Sequence, residues 1–226
     1  HRALLLRRKL AELTELIDQS RKLYPKAFPG AVFRESKNTW SFPSGATALF
    51  SYVDKDNDVT RYQGQSFTWI GVDELGQYPT PYVWNYLRSR LRTTDPEIQT
   101  YMRASANPGG VGGGWLKKMF VDPAVPNDPF WDTDIDSGNI LRYGPNHPIN
   151  ADKPLYQRRF IPARLTDNPF LMESGEYEAM LLSLPEVERR RLLEGDWDVA
   201  DGAAFSEFDR SKHVVDPFEV PYNWPR

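Results

Sequence analysis

The chain has 226 residues, of which 40% are hydrophobic and 26% are charged, and this length can bury the core of one domain. Its net charge of −3 excludes a protein whose whole surface coats nucleic acid, although a local basic face remains possible. The absence of cysteine excludes disulfides, thiolate zinc sites and cysteine nucleophiles. No apolar run approaches the roughly 20 residues that a membrane span needs, so no membrane partner is expected.

Strand and helix patterns alternate from the start of the chain. Ala3 to Arg8 predicts a buried strand, and leucines at helical spacing predict a helix from Lys9 to Tyr24 that ends before Pro25. Short β-like runs between Ala31 and Phe50 are interrupted by Pro43-Ser44-Gly45, which indicates a hairpin turn. This order is typical of an α/β protein.

The alternation continues further along the chain. Phe67 to Val72 predicts an apolar strand, Pro81 to Arg92 a helix with proline in its first turn, and Gln99 to Ala106 a third strand. The later expectations are a glycine-rich turn (109–114), a helix (115–120), an irregular insertion (122–150), a strand (157–164) and two helices (173–184 and 185–194).

The apolar run FTWIGVDE ends in two carboxylates, Asp73 and Glu74. In motors that hydrolyse phosphoanhydrides, an Asp at such a strand end holds the hydration shell of Mg²⁺, and the Glu polarises the attacking water. Adjacent strand residues point to opposite faces, so the two carboxylates can take different tasks where the strand ends. Burial there raises a carboxyl pKa, which makes a better base. A buried strand followed by an acidic turn gives the same pattern without function.

A second polar segment, RASANPGG, follows one predicted helix later and begins at Arg103. In such motors the neighbouring strand ends in a polar turn, where Ser105 or Asn107 could hydrogen-bond the γ-phosphate or the catalytic water. The alternative is an Asn-Pro-Gly turn selected for its backbone geometry. The two segments together give the order of elements found in the core of a P-loop motor: a strand that ends in Asp-Glu, a helix, and a strand that ends in Ser-Ala-Asn.

These segments also resemble a known family. RYQGQSFTWIGVDELGQYP (61–79) is similar to the Walker B region of phage terminase large subunits, and ASANPGGVGGGWLKKMF (104–120) to their coupling motif. TDNPFL (166–171) and LLEGDWDV (192–199) resemble the end of the family's ATPase domain. The resemblance extends from residue 4 to about residue 208.

The resemblance implies an α/β fold with a mainly parallel sheet flanked by helices, an ASCE-type P-loop NTPase core that lacks its Walker A strand and loop. No Gly-x-x-x-x-Gly-Lys-Ser/Thr sequence occurs in the chain. The family places that loop before the strand at Ala3 to Arg8, so the chain is expected to be a fragment. Residues 1–200 would form a partial ATPase domain with a C-terminal helical subdomain, and residues 201–226 a linker and the start of a truncated nuclease domain.

The implied function is an ATP-hydrolysing motor that moves double-stranded DNA into a procapsid in the host cytoplasm, with ATP and Mg²⁺ as cofactors. The implied partners are DNA, the portal protein, the small terminase subunit and further copies in a homo-oligomeric ring. Asp73 would be the metal residue, Glu74 the catalytic base, and Ser105 and Asn107 the nucleotide-binding residues.

Arg61, twelve residues before Asp73, would be a catalytic arginine finger that acts on a neighbouring subunit's ATP. A planar cation from outside the site is suited to the charge that spreads over the transferring phosphoryl group. The alternative is a surface arginine that covers Tyr62 or pairs with Asp58. Three further arginines are rival candidates, although their predicted helix suits DNA or subunit contact better: 88, 90 and 92.

Two other functions stay open. Another nucleic-acid-dependent P-loop ATPase, such as a helicase, would keep the chemistry, but the arginine motifs of a second motor domain are not visible. A non-catalytic scaffold fragment would only bind packaging partners. Because the phosphate loop is missing, the isolated chain is expected to be inactive, and a measurement of ATP binding separates the motor from the scaffold.

Overall fold

The structure is a computed structural model that describes residues 1–132 and 156–199. Its strands are β1 (Arg2–Arg7), β2 (Val32–Arg34), β3 (Thr39–Ser41), β4 (Thr47–Tyr52), β5 (Trp69–Val72), β6 (Tyr101–Ala104), β7 (Phe130–Asp132) and β8 (Tyr156–Arg158). Its α-helices are α1 (Leu10–Ala27), α2 (Tyr82–Arg88), α3 (Gly113–Leu116), α4 (Pro169–Ser174), α5 (Glu176–Leu182) and α6 (Glu186–Leu192). Most of the predicted insertion and all of the predicted linker and nuclease start (201–226) lie outside the described residues.

The main sheet has the strand order β2-β3-β4-β1-β5-β6. Strands β4, β1, β5 and β6 run parallel, whereas β2 pairs antiparallel with β3 and β3 with β4; the predicted hairpin turn joins β3 to β4. Parallel neighbours require crossover connections, which α1 and α2 supply on opposite faces of the sheet. The expected fold class, a mainly parallel sheet flanked by helices, is therefore confirmed.

The central strand β1 contributes to two hydrophobic cores, because alternate residues of a strand point to opposite faces. Leu4 and Leu6 are fully buried in the larger core, which β5 and α2 complete. Ala3 and Leu5 pack against the smaller core on the other face, where α1 supplies Leu13 and Ile17. Of the described helices, none is long and apolar enough to cross a membrane.

Two helix ends differ from their predictions. Helix α1 continues through Pro25, because a proline in the last turn removes few helix hydrogen bonds, and the N–H of Phe28 still donates to the carbonyl of Tyr24 at 2.8 Å. Helix α2 ends at Arg88 rather than Arg92. Beyond it, the chain turns and forms an isolated bridge between Leu91 and Phe67, so tertiary pairing overrides helical propensity.

Other boundaries also shift. Helix α3 begins at Gly113, within the glycine-rich turn, and β8 ends at Arg158, short of the predicted residue 164. Gly175 has φ +65°, a left-handed conformation that separates α4 from α5 inside the predicted helix at 173–184. These changes leave the alternation of strands and helices, and hence the expected fold, unaltered.

Candidate active site

Three parallel strands end at the same level of the sheet. Leu6 of β1 is level with Val72 of β5, and Val72 is level with Ala104 of β6. The polar residues that come next along the three strands are Arg7, Asp73 and Ser105. The strand that ends in the Ser-Ala-Asn segment is therefore the neighbour of the strand that ends in Asp73-Glu74, as expected from the order of the motifs, and both carboxyl ends lie at one edge of the sheet.

The carboxylate of Asp73 is held from both sides. The guanidinium of Arg7 donates to Oδ2 of Asp73 through Nε at 2.6 Å and approaches the same oxygen with a terminal nitrogen at 2.5 Å. The hydroxyl of Ser105 donates to Oδ1. Because the side chains of Arg7 and Asp73 are only 18% and 27% exposed, this ion pair is partly shielded from water.

Glu74 has an unusual backbone conformation. Its φ of +56° and ψ of +48° place it in the left-handed region, which is uncommon for residues other than glycine. Ser105 stabilises this turn twice, since its hydroxyl accepts the N–H of Glu74 at 3.0 Å and its carbonyl accepts the N–H of Leu75 at 2.8 Å. Ser105, the residue that follows β6, thus fixes the backbone on both sides of the Glu74 carbonyl.

The environment of Glu74 changes its acidity. Burial raises the pKa of its carboxyl, the Asp73 carboxylate raises it further, and the Arg7 guanidinium opposes both effects. A raised pKa brings a carboxylate closer to the range in which it accepts a proton from water efficiently. The pKa rise that was expected for a buried carboxyl at this strand end is present at Glu74.

The two carboxylates line different clefts. Glu74 and Asn107 line a cleft of about 540 Å³, hereafter the Glu74 cleft, together with Arg8, Lys9 and the glycine-rich loop. Asp73 and Ser105 line a second cleft of about 330 Å³. The two carboxylates therefore point in different directions, as expected at a strand end, and the left-handed turn at Glu74, which lies beyond β5, directs its carboxyl away from that of Asp73.

The glycine-rich loop packs tightly beside the Glu74 cleft. The N–H of Gly112 donates to the carbonyl of Gly76 at 2.9 Å. A Cβ atom on Gly112 would lie 2.5 Å from the carbonyl oxygen of Tyr78, which is too close for any other residue. The glycines therefore allow two backbone segments to approach each other, and this fixes the loop that begins at Asn107.

The donor set around Asp73 fits Mg²⁺ through the water shell of the ion. A carboxylate has about four lone-pair sites, and here Arg7 uses two on Oδ2 and Ser105 uses one on Oδ1. One site on Oδ1 is left to accept a hydrogen bond from a coordinated water. Mg²⁺ usually keeps several waters and is held by few carboxylates together with substrate phosphates, so a single Asp is chemically adequate.

Arg61 lies apart from these residues. Its Nε donates to the carbonyl of Asp58 at 3.0 Å, its guanidinium lies 3.8 Å from the Asp58 carboxylate, and it covers the ring of Tyr52 at 5.3 Å. It does not line the Glu74 cleft. The sequence-based alternative named Asp58 as the partner, and that contact is present, although the aromatic ring beneath Arg61 is Tyr52 rather than Tyr62.

Comparison with solved structures places this site in a known fold. The large terminase from a thermophilic bacteriophage, in complex with ADP, aligns over 98% of this chain and 46% of its own length, with a TM-score of 0.57 and 18% identity. A second crystal form of the same terminase gives a TM-score of 0.59 at 16% identity, and its complex with ATP-γ-S gives 0.54 at 18%.

The chain thus has the fold of phage large terminases, and it spans slightly less than half the length of the terminase that it matches. The resemblance seen in the Walker B and coupling segments is confirmed at the level of fold. No family model matches the sequence, and no curated protein matches it.

The left-handed backbone of Glu74 predicts an unusual order of variant stabilities. Glu74→Gly should be more stable than Glu74→Ala by about 1 kcal/mol, because only glycine adopts this conformation without a steric penalty. Urea unfolding of the two variants measures the difference. Glu15, an exposed residue within α1, is the matched control, and there alanine should be more stable than glycine by about 1 kcal/mol. The same order at both positions would contradict strain at Glu74.

The raised pKa of Glu74 predicts a pH-dependent gain from Glu74→Gln. The folded wild-type chain holds the proton of the Glu74 carboxyl more tightly than the unfolded chain, in which Glu titrates at about pH 4. Its stability therefore falls as the pH rises from that value through the folded-state pKa, whereas the glutamine variant has no such loss. Urea unfolding should show the variant more stable at pH 7, with the advantage disappearing below about pH 4. An advantage that grows on acidification would refute the shift.

Proposed function

We propose that this chain is the catalytic part of the ATPase motor of a phage terminase large subunit, which drives double-stranded DNA into a procapsid in the host cytoplasm. The observation that carries the proposal is the junction of Asp73, Glu74 and Ser105 at neighbouring parallel strand ends, in a fold shared with large terminases. Carboxyl ends of parallel strands are where open α/β sheets bind their ligands.

In the proposed reaction, the carboxylate of Glu74 accepts a proton from the water that attacks the γ-phosphorus, while the bond to the ADP oxygen breaks. The partly buried position of Glu74 in its cleft, which raises the pKa of its carboxyl, supports this role. Asp73 would hold Mg²⁺ through its water shell, and the ion, when bound, supplies positive charge to the phosphate oxygens.

Two residues are proposed to contact the nucleotide. Asn107 is exposed at the Glu74 cleft, where its amide can donate to the γ-phosphate. Ser105 is the second: its O–H donates to Asp73 and one lone pair accepts the N–H of Glu74, so its remaining lone pair can accept from a water that in turn contacts the γ-phosphate. The grip on the remaining phosphates would come from a phosphate-binding loop, and no such motif occurs in the 226 residues. We therefore propose that this chain alone hydrolyses ATP negligibly.

Arg61 is proposed to act in trans within a homo-oligomeric ring assembled on the portal with the small terminase subunit. Its place on the surface, outside the Glu74 cleft of its own chain, supports action on a neighbouring subunit. The weak contact with Asp58, at 3.8 Å between exposed groups, costs little to break when a phosphate replaces it.

The role of Glu74 is tested in a longer protein that contains these 226 residues together with a phosphate-binding loop. Glu74→Gln should lower the ATP turnover by at least about 100-fold while nucleotide affinity stays near that of wild type, because the shape is kept and the base is lost. Turnover assays and binding of a fluorescent ATP analogue measure the two quantities. Wild-type turnover in this variant would rule out the proposed base, and a wild-type protein that binds no ATP would favour the scaffold alternative.

The trans role of Arg61 is tested by mixing inactive subunits of the same protein. Each variant alone should lose turnover, and the loss for removal of an arginine finger is about 10³-fold or more. Arg61→Ala subunits keep an intact Glu74, and Glu74→Gln subunits still present Arg61. Mixed rings should therefore regain part of the lost turnover. Light scattering confirms that mixed rings form. Two copies of the same variant, mixed at equal total concentration, provide the control. Mixed rings without any recovery, or full activity of Arg61→Ala alone, would contradict the proposal.

A further inference from the structure

Arg7 is the one residue of the linked strand ends to which the proposed reaction gives no task. It is the last residue of β1, its side chain is 18% exposed, and two of its nitrogens converge on a single oxygen of Asp73 at 2.5 and 2.6 Å. Charge-assisted bonds of this length are among the stronger hydrogen bonds in proteins and fix the orientation of both groups. Arg7 therefore selects the rotamer in which Oδ1 of Asp73 points towards Ser105.

The orientation of Asp73 determines what Ser105 can do. A serine hydroxyl rotates to suit its partners and has one donor and two acceptor positions. With its O–H directed to Oδ1 of Asp73, it presents a lone pair to the N–H of Glu74 at 3.0 Å. Hydrogen bonds thus run from Arg7 through Asp73 and Ser105 to the amide of Glu74, the residue with the left-handed backbone.

Stability alone gives a poor account of this arrangement. A partly exposed ion pair contributes little to the free energy of folding, and an apolar pair in the same place would often stabilise the fold as well. The ion pair of Arg7 and Asp73 does something that an apolar pair could not. It holds Asp73 so that Oδ1 accepts the Ser105 hydroxyl, and this sets the direction of that hydroxyl.

We propose that Arg7 is a positioning residue for Glu74, which acts through Asp73 and Ser105 and does not touch the nucleotide. Its catalytic consequence rests on the proposed function, whereas the chain of hydrogen bonds can be tested in these 226 residues alone. The sequence signal for Arg7 is slight, because it is only an arginine at the carboxyl end of an apolar strand. Its contact with Asp73 can be inferred only once β1 is known to lie beside β5.

The first experiment measures amide hydrogen exchange at Glu74 by NMR. Arg7→Met should accelerate exchange of this amide about tenfold, the factor expected for the loss of one hydrogen bond, while the amide of Ile70 within β5 keeps its wild-type rate. Arg2→Met, at the opposite end of the same strand, is the matched control and should leave Glu74 unchanged. If Arg7→Met does not fold, Arg7→Gln takes its place. An unchanged Glu74 rate in either folded variant would overturn the proposal.

The second experiment uses the protein that joins this domain to a phosphate-binding loop. Arg7→Met should lower kcat about 10- to 100-fold, as loss of outer partners of a site residue commonly does, with little change in KM for ATP. Guanidinium ion at non-denaturing concentration should restore part of kcat to Arg7→Ala and none to Glu74→Gln. A loss expressed in KM, or rescue of both variants alike, would overturn the assignment. If that protein hydrolyses no ATP, the proposed function fails, and hydrogen exchange at Glu74 still decides the role of Arg7.

Discussion

The parallel pairing of β5 between β1 and β6 is the constraint on which the candidate site depends. Because Leu6, Val72 and Ala104 are level, the residues that follow them meet at one edge of the sheet. A shift of one residue in either pairing would turn the side chains of that strand to the other face. The register is fixed by the burial of two residues on each strand: Leu4 and Leu6 of β1, and Ile70 and Val72 of β5. The apolar core therefore also positions the polar site.

The same constraint separates the tasks of two neighbouring carboxylates. Asp73 continues the alternation of β5 and meets Arg7 and Ser105, whereas the left-handed turn at Glu74 directs the next carboxyl into the cleft that Asn107 also lines. The environments differ accordingly. Asp73 is compensated by a direct cation, and Glu74 is desolvated beside an anion, which raises the pKa of its carboxyl. The fold thus gives two adjacent carboxylates different charge environments.

Strand and helix identities could be predicted because each apolar run is long enough to show its period, as in β1 and α1. The adjacency of the strand ends at Asp73 and Ser105 could be predicted from the order of motifs. The ion pair of Asp73 with Arg7 could not, since it requires the strand order of the sheet, which no local pattern contains. For the same reason the predicted end of α2 lies too late in the chain: the bridge between Leu91 and Phe67 is a tertiary contact.

The left-handed conformation of Glu74 costs the fold some stability and at the same time sets the direction of the Glu74 carboxyl. A left-handed residue at a strand end is accommodated most easily by glycine, so a glutamate there carries a steric cost of roughly 1 kcal/mol. Such outliers persist where the surroundings over-determine them, and here Ser105 does so with its hydroxyl and its carbonyl together. The same two bonds also couple β6 to Glu74, so a displacement of Ser105 would move the carboxyl within its cleft.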